Sequence, residues 1–261
     1  MKLGSGVYYD LFQVNPAYYL EHFQHLELQD FVLPDNLDIH ADKIIKGYQR
    51  LLGTFKGTLS MHGPFKQLFL SSMDRQVQDL ACKRLSQALR YGKELGCSIM
   101  VVHSCYNPLM NYPGYLDDWV NNALWFWERF LPICAKQNMV ITLENIWDKT
   151  PVPMLRVLKR LQSPFLRACL DTGHVNIFSS IPITEWISSL GDYLAHFHIH
   201  DNHGIDDEHL PPGRGNIDFS WLAAYKDDHK IALVNEAYGS IKEERAFLNF
   251  IKGFQTASRC K

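Results

Sequence analysis

The feature that most constrains the fold of this chain is the alternation of eight short apolar, β-branched segments with longer segments of helical periodicity. The eight segments are residues 2–9, 26–33, 58–65, 98–105, 140–146, 167–173, 194–201 and 231–237. Strands that alternate with helices are typical of a parallel sheet, because a crossover helix returns the chain to the same end of the sheet. Eight such units in 261 residues predict an α/β fold of the (β/α)8 TIM-barrel class, which needs ~250 residues.

The intervening segments support this prediction. Residues 74–96 and 115–138 place apolar side chains at helical spacing, and the last helix opens with Ser240 and Glu243 at the spacing of a capping box. The first two strand patterns are short, so a seven-stranded or distorted barrel is an alternative. An open doubly wound sheet would need a glycine-rich ligand loop, and no GxGxxG follows any strand. Without a linker or an internal repeat, we expect a single domain over residues 1–261.

Charge and composition limit the kinds of binding partner and the cellular compartment that we expect for this chain. A net charge of −2 argues against a broad basic face for nucleic acid. The chain has no apolar run of ~18 residues, so no membrane span is expected. The first residues do not resemble a signal peptide. Six cysteines without CxxC spacing are expected to be reduced thiols, and the cytoplasm is the expected compartment. The cysteines are Cys82, Cys97, Cys105, Cys134, Cys169 and Cys260.

Nine side chains of metal-binding type fall at or after the C-terminal ends of strands three to eight. They are His62, His103, Glu144, Asp171, His174, His198, Asp207, His209 and Glu236. In a closed α/β barrel these strand ends converge on one axis and hold the active site. Crowded carboxylates repel one another, and a bound cation removes that repulsion. Mixed imidazole and carboxylate donors suit zinc, manganese, iron or cobalt.

Each of these motifs also has a structural explanation. A single buried histidine is more often a hydrogen-bonded core residue than a ligand, and either glutamate alone could be part of an ion pair. Asp171 to His174 could form a turn, and Asp207 with His209 could lie in a solvated loop. The metal-site interpretation is favoured because all of these explanations would have to hold together at the same end of one barrel.

Two segments, CLDTGHVN (169–176) and FHIHDNHGIDDEHLPPGRGNIDF (197–219), resemble the xylose isomerase-like barrel superfamily, with Glu144 and Glu236 in the matching order. This superfamily includes endonuclease IV and many sugar or sugar-phosphate isomerases and epimerases. The resemblance to endonuclease IV implies three zinc ions held by all nine positions. The resemblance to the isomerases implies one Mn²⁺, Mg²⁺ or Co²⁺ held by Glu144, Asp171, His198 and Glu236. The expected cofactor is therefore one to three divalent metal ions per chain.

The two branches imply different chemistry. In the isomerase branch Glu144 and Glu236 would be general acid and base, and His174 would bind substrate. In the hydrolase branch the metals would activate water against a phosphate ester, and Arg214 would neutralise the phosphate. Among the alternating histidines of strand seven, the resemblance assigns His198 as the ligand. His200 is the reserve candidate for the ligand and a candidate for substrate binding, and His196 and His203 are expected to be structural or solvent-facing.

The sequence departs from endonuclease IV in two places. His198-Ile199-His200-Asp201-Asn202 stands where those enzymes have His-Leu-Asn-Asp, and no basic, aromatic loops suited to gripping DNA are evident. Nucleic acid is therefore not favoured as a substrate, and a small sugar or phosphate ester is expected. The number of candidate ligands favours a multinuclear phosphoesterase over the isomerase or epimerase. A metal-binding protein without catalysis ranks third.

Overall fold

The computed structural model describes residues 1–110, 112–225, 228, 230–237 and 240–256, without the side chains of residues 255 and 256. Eight parallel strands form one closed barrel in chain order, with the last strand paired to the first. The strands are β1 (Lys2–Val7), β2 (His25–Leu28), β3 (Thr58–His62), β4 (Ile99–His103), β5 (Val140–Glu144), β6 (Leu166–Asp171), β7 (Leu194–Ile199) and β8 (Ala232–Asn235). The predicted TIM barrel is confirmed, and the seven-stranded and open-sheet alternatives are wrong.

Helices connect the strands and cover the outside of the barrel. They are α1 (Tyr9–Phe12), α2 (Pro16–His22), α3 (Pro34–Asp38), α4 (Ala41–Leu52), α5 (Arg75–Leu95), α6 (Tyr115–Gln137), α7 (Val152–Leu161), α8 (Thr172–Phe178), α9 (Ile183–Leu190) and α10 (Ile241–Thr256). The Asp74 side chain caps α5 by accepting the Gln76 N–H at 2.8 Å. At the start of α10 the Ser240 hydroxyl accepts the Lys242 N–H at 3.1 Å.

The strands are shorter than their apolar patterns predicted, and β2 shows the reason. Residues 26–33 were predicted as a strand, but the pairing ends at Leu28 and Asp30–Val32 form a 3-10 turn. The Asp30 carboxylate accepts the Tyr9 N–H at 3.0 Å, so the segment after β2 bonds to the start of α1 instead of continuing the sheet. Phe31 and Val32 are still buried, beneath helices rather than in the sheet. An apolar run reports burial, and here tertiary contacts decide that the buried segment is a turn.

Part of the barrel interior is polar. Glu27 of β2 contacts His196 and His198 of β7, and these two strands are not neighbours in the barrel. Their hydrogen bonds therefore cross the interior, which in this fold is usually filled by branched apolar side chains. The five described cysteines are free thiols, as predicted, and Cys260 lies outside the described residues. No helix in the described ranges combines the length and apolar character that a membrane span requires.

Candidate metal centre

Four donor side chains from the last four strands meet at the C-terminal end of the barrel. Glu144 ends β5, Asp171 ends β6, His198 lies in β7 and Glu236 follows β8. One ligand atom from each of the four lies within 4.8 Å of the others, and all four side chains are buried. We call this set the central cluster. Parallel strand ends point toward one axis, which is why residues so distant in sequence share this volume.

The central cluster fits a divalent cation. His198 Nδ1 lies 3.2 Å from Glu144 Oε1 and 3.3 Å from Glu236 Oε2, yet it has no hydrogen-bond partner in the part of the chain that the structure describes. Burying three carboxylates around an unpartnered imidazole nitrogen costs free energy through desolvation and mutual repulsion. A cation bound among these atoms would offset both costs, and the mixed nitrogen and oxygen donors suit zinc or manganese.

Two predicted ligands, His62 and His103, contact Glu144 Oε2, the carboxylate oxygen that does not face His198. His62 Nε2 is 3.2 Å and His103 Nε2 is 3.4 Å from Glu144 Oε2. His62 Nδ1 is 2.9 Å from the Gly63 carbonyl oxygen, to which it donates, so in the neutral ring the Nε2 lone pair faces the glutamate. This is the second-shell pattern that orients metal-binding histidines. The His103 ring is held by stacking on Phe65, with ring centroids 4.0 Å apart.

A second flank groups His174, Asp207 and His209. Asp207 Oδ2 lies 3.5 Å from His174 Nε2 and 3.2 Å from His209 Nε2. The Nδ1 atoms of the two histidines bond to backbone carbonyls, of Asn145 at 2.9 Å and of Glu236 at 2.8 Å. Both rings therefore direct Nε2 at the same carboxylate. With the central cluster and the His62–His103 flank, the structure brings all nine predicted positions into one continuous group.

His200 lies inside this group. Its Nε2 is 3.1 Å from each oxygen of Asp171, and its ring stacks on His209 with centroids 4.0 Å apart. His200 was predicted as a reserve ligand and a substrate-binding candidate. Its ring is fully buried beside Asp171, where it can act as a ligand or hold Asp171 in place, and its role stays a prediction. A Cβ at Gly173 would overlap the His200 ring, so glycine is required at this position of the DTGH motif.

The loop after β7, residues 200–219, is organised by Asp201. The buried Asp201 carboxylate accepts the backbone N–H groups of Asn202, Gly213, Gly215 and Ile217 at 2.9 to 3.1 Å. This loop presents Asp207 and His209 to the cluster. Arg214, predicted to bind phosphate, is exposed on the same loop. No hydrogen bond or ion pair joins its guanidinium to the cluster within the described residues, so its role stays a prediction.

Burial and charge shift the pKa values of the donors in opposite directions. Burial raises the pKa of Glu144, but the facing imidazoles of His198 and His103 outweigh it and hold that pKa well below its usual range. Burial lowers the pKa of His198, but the negative charges of Glu236, Glu27 and Glu144 raise it well above its usual value. Burial prevails at His103 and lowers its pKa to about 3. Protonated and neutral rings thus coexist among ionised carboxylates.

Sequence reasoning missed several buried residues that support the donors. His25, one residue before the segment predicted as the second strand, begins β2, and its Nε2 lies 2.7 Å from the Ser60 hydroxyl. His196 is buried against Glu27, in agreement with a structural role, whereas His203 is largely exposed and pairs with Glu208. Asn145 clamps Asp171 by bonding both its N–H and its carbonyl. Its position directly after Glu144 was the one available signal.

A cavity of 380 Å³ lies at the same end of the barrel, between the segments that follow β3 and β4. It is lined by Cys105, two residues beyond His103, and by aromatic side chains that include Tyr112, Tyr115 and Trp119. A cavity of this size with aromatic walls suits a small organic molecule.

The family profile of xylose isomerase-like TIM barrels matches residues 20–230 of this chain. The chain belongs to the xylose isomerase-like TIM-barrel family. The family assignment confirms the resemblance that the strand-end motifs indicated.

This xylose isomerase-like barrel also has relatives of known sequence or structure. The uncharacterised protein MJ1311 of Methanocaldococcus jannaschii is 30% identical over 186 residues, which cover 69% of this chain and 63% of that protein. The structure of a D-tagatose 3-epimerase-like protein is 26% identical, covers 98% of each chain and superposes with a TM-score of 0.80. The TTHB071 protein from Thermus thermophilus, soaked with ZnCl2, is 26% identical over 97% of this chain and 98% of its own, with a TM-score of 0.78. Sugar epimerases at 20% identity or less share the barrel, which at that distance shows the fold alone.

Proposed function

We propose that this xylose isomerase-like barrel is a divalent-cation-dependent sugar epimerase or isomerase. The observation that carries the proposal is the central cluster, in which Glu144 and Glu236 face the same small volume from two strands that are not neighbours in the barrel. The similarity to a D-tagatose 3-epimerase-like protein over nearly the whole chain supports a sugar as the substrate. This ranking reverses the one that ligand count alone favoured.

The two glutamates supply the acid–base chemistry. One carboxylate removes the proton from the carbon next to the sugar carbonyl, and the electrons of that C–H bond move onto the carbonyl oxygen. The other glutamate returns a proton to the opposite face of the same carbon for epimerisation, or to the neighbouring carbon for isomerisation. The cation, when bound, would polarise the carbonyl and stabilise the developing negative charge. Glu144 is available to accept a proton because the facing imidazoles hold its pKa low and keep it ionised.

Solvent exchange tests the proposal directly. Protein loaded with Mn²⁺ or Zn²⁺ is incubated in D2O with ketohexoses such as D-tagatose and with their phosphates, and the sugar C–H signals are followed by NMR. We expect deuterium to enter at the carbon next to the carbonyl as the epimer or isomer accumulates. Glu236→Gln should reduce the exchange rate by at least about 100-fold, the lower range for loss of a general acid–base group.

A matched control is Glu208→Gln. Glu208 lies in the loop after β7 and pairs with His203 instead of with a residue of the central cluster. We expect this variant to retain the wild-type exchange rate. The proposal is wrong if no ketose or ketose phosphate exchanges a proton with solvent, or if Glu236→Gln exchanges as fast as the wild type.

A second candidate function is hydrolysis of a phosphate ester at a multinuclear centre. The observation that favours it is the pair of flanks, in which His62, His174 and His209 each have Nδ1 tied to a backbone carbonyl and Nε2 directed at a carboxylate. A mononuclear isomerase has no need of these oriented rings. Neighbouring cations would activate water and hold the leaving oxygen.

Metal content separates the two candidates. Elemental analysis of protein purified without chelator should find one cation per chain for the epimerase. That cation should be retained in His62→Ala and His209→Ala and lost in Glu236→Gln. Two or three cations per chain, reduced in His62→Ala and in His209→Ala, would favour the phosphoesterase, and phosphate release from sugar phosphates would then be the activity to measure.

A further inference from the structure

Beneath the central cluster, Glu27 of β2 is at the centre of a buried hydrogen-bond network. Its Oε1 accepts from His198 Nε2 at 3.0 Å and from Gln29 Nε2 at 3.1 Å. Its Oε2 accepts from the Ser60 hydroxyl at 2.7 Å and from His196 Nε2 at 2.9 Å. With four donors on two oxygens, the carboxylate is satisfied without water, which is the condition for burying an ionised group.

The bond from Glu27 decides which nitrogen of His198 faces the cluster. Because Glu27 accepts only, the His198 nitrogen that faces it must carry a proton, and that nitrogen is Nε2. Nδ1 is then the only ring nitrogen whose lone pair is available to a cation. Nδ1 is also the buried atom without a hydrogen-bond partner that lies 3.2 Å from Glu144 and 3.3 Å from Glu236.

Gln29 links the same carboxylate to a second candidate ligand. Its Nε2 lies 3.1 Å from Glu27 Oε1 and 2.9 Å from Glu236 Oε1. Glu236 Oε1 therefore accepts a hydrogen bond from this amide, and Glu236 Oε2 faces His198. One carboxylate on β2 thus orients a histidine on β7 directly and a glutamate after β8 through a single amide.

We propose that Glu27 is a positioning residue that holds His198 with Nδ1 toward the cation and, through Gln29, holds Glu236 in the same site. This inference rests on the proposed function only in requiring a cation at the central cluster. Four protein donors occupy both oxygens of Glu27, so its effect on the site passes through His198 and Gln29. Carboxylates that orient a metal-binding histidine typically change metal affinity by about 10- to 100-fold when they are replaced.

The test measures cation affinity without any substrate. Mn²⁺ and Zn²⁺ are titrated by calorimetry into the metal-free full chain and into Glu27→Gln and Glu27→Ala. We expect the dissociation constant to rise about 10-fold or more in Glu27→Gln, which loses the charge, and further in Glu27→Ala, which loses the acceptor. Circular dichroism and thermal melting select variants that are folded at the titration temperature.

Nitrogen NMR of the zinc-loaded protein adds a readout that a purely structural role would not change. We expect the wild-type His198 ring to be protonated at Nε2 and metal-bound at Nδ1, and Glu27→Ala to lose this single pattern. Ser60→Ala is the matched control, because it removes a bond to the same carboxylate without touching His198. Its dissociation constant should stay within about threefold of the wild type, well short of the second-shell effect.

The outcomes separate this inference from the proposed function. Folded Glu27 variants with wild-type cation affinity and an unchanged His198 pattern would overturn the positioning role, whatever the protein does to sugars. A similar loss of affinity in Ser60→Ala would also overturn it, since the effect would then belong to the interior as a whole. Weakened binding in the Glu27 variants together with an absence of sugar proton exchange would support the positioning role and reject the epimerase.

Discussion

Individual buried carboxyl groups in this barrel differ in what surrounds them, and Glu244 shows the effect outside the metal centre. Its side chain lies between α10 and the barrel wall, where it accepts from the Ser5 hydroxyl of β1 at 2.6 Å and from Asn235 Nδ2 of β8 at 2.9 Å. Two neutral donors do not offset the loss of solvent, so burial raises the pKa of Glu244 to about 7.

Glu244→Gln should therefore make the protein less sensitive to rising pH. A carboxyl whose pKa is raised by folding contributes stability that is fully present below its unfolded value, near 4.5, and is lost as the pH rises through about 7. Between pH 5 and 8 we expect the wild type to lose about 3 kcal/mol of unfolding free energy that the variant retains. Urea unfolding at both pH values measures the difference. Glu94→Gln, on the exposed side of α5, is the control, and parallel pH profiles for wild type and Glu244→Gln would contradict the expectation.

At the scale of elements, the loop after β7 differs from an ordinary surface loop because a buried carboxylate holds it. Asp201 accepts four backbone N–H groups spread over residues 202–217. Gly215 lies so close to Asp201 and to the Asn202 carbonyl that a Cβ would collide with both. This packing gives Asp207 and His209 a defined position without regular secondary structure.

Asp201→Asn should loosen this loop and weaken the flank that it presents. The amide NH2 would face backbone N–H groups where a carboxylate oxygen now accepts, so we expect a loss of about 2–3 kcal/mol in unfolding free energy. Chemical denaturation measures the loss. Asp206→Asn, an exposed neighbour in the same loop, should be within about 0.5 kcal/mol of the wild type. Equal stability of the two variants would show that the Asp201 bonds do not hold the loop.

At the scale of the whole molecule, cation binding at the proposed site would be coupled to the release of protons. Burial lowers the pKa values of His174 and His198, but the facing carboxylates raise both well above the usual value: mainly Asp171 at His174, and Glu236, Glu27 and Glu144 at His198. In the absence of a cation these rings are therefore protonated at neutral pH. A cation can bind to them only by displacing those protons.

Cation affinity should consequently rise with pH until the pH reaches the raised pKa values of the two rings. In the metal-free protein the charged rings contribute unfolding free energy that is fully present below their unfolded pKa. This contribution is lost as the pH rises through the higher folded pKa values. The cation-bound protein, in contrast, needs both rings neutral. We expect the Mn²⁺ dissociation constant to fall about tenfold per pH unit for each proton released. Calorimetry in buffers of different ionisation enthalpy counts the protons, and a binding constant that does not change between pH 6 and 8 would refute this coupling.

The sequence by itself determined the class of fold and the membership of the donor group. Strand and helix periodicity, capping residues and turn residues act over a few positions, so eight β–α units could be recognised locally. Closure of parallel strands then brings their C-terminal ends together, which is why residues as distant as His62 and Glu236 could be predicted to share one site. Strand ends were less predictable, as β2 shows, because an apolar residue can be buried in a turn as well as in a strand.

Only the tertiary structure decided how the donors are held. Glu27 meets His196 and His198 across 169 and 171 positions of sequence, and Ser5 meets Glu244 across 239. No local pattern marks these partners, because they come from strands and helices that are far apart in the sequence. Their contacts depend on strand register, tilt and side-chain length together. A glutamate in the short second strand therefore had no visible role until the barrel closed around it.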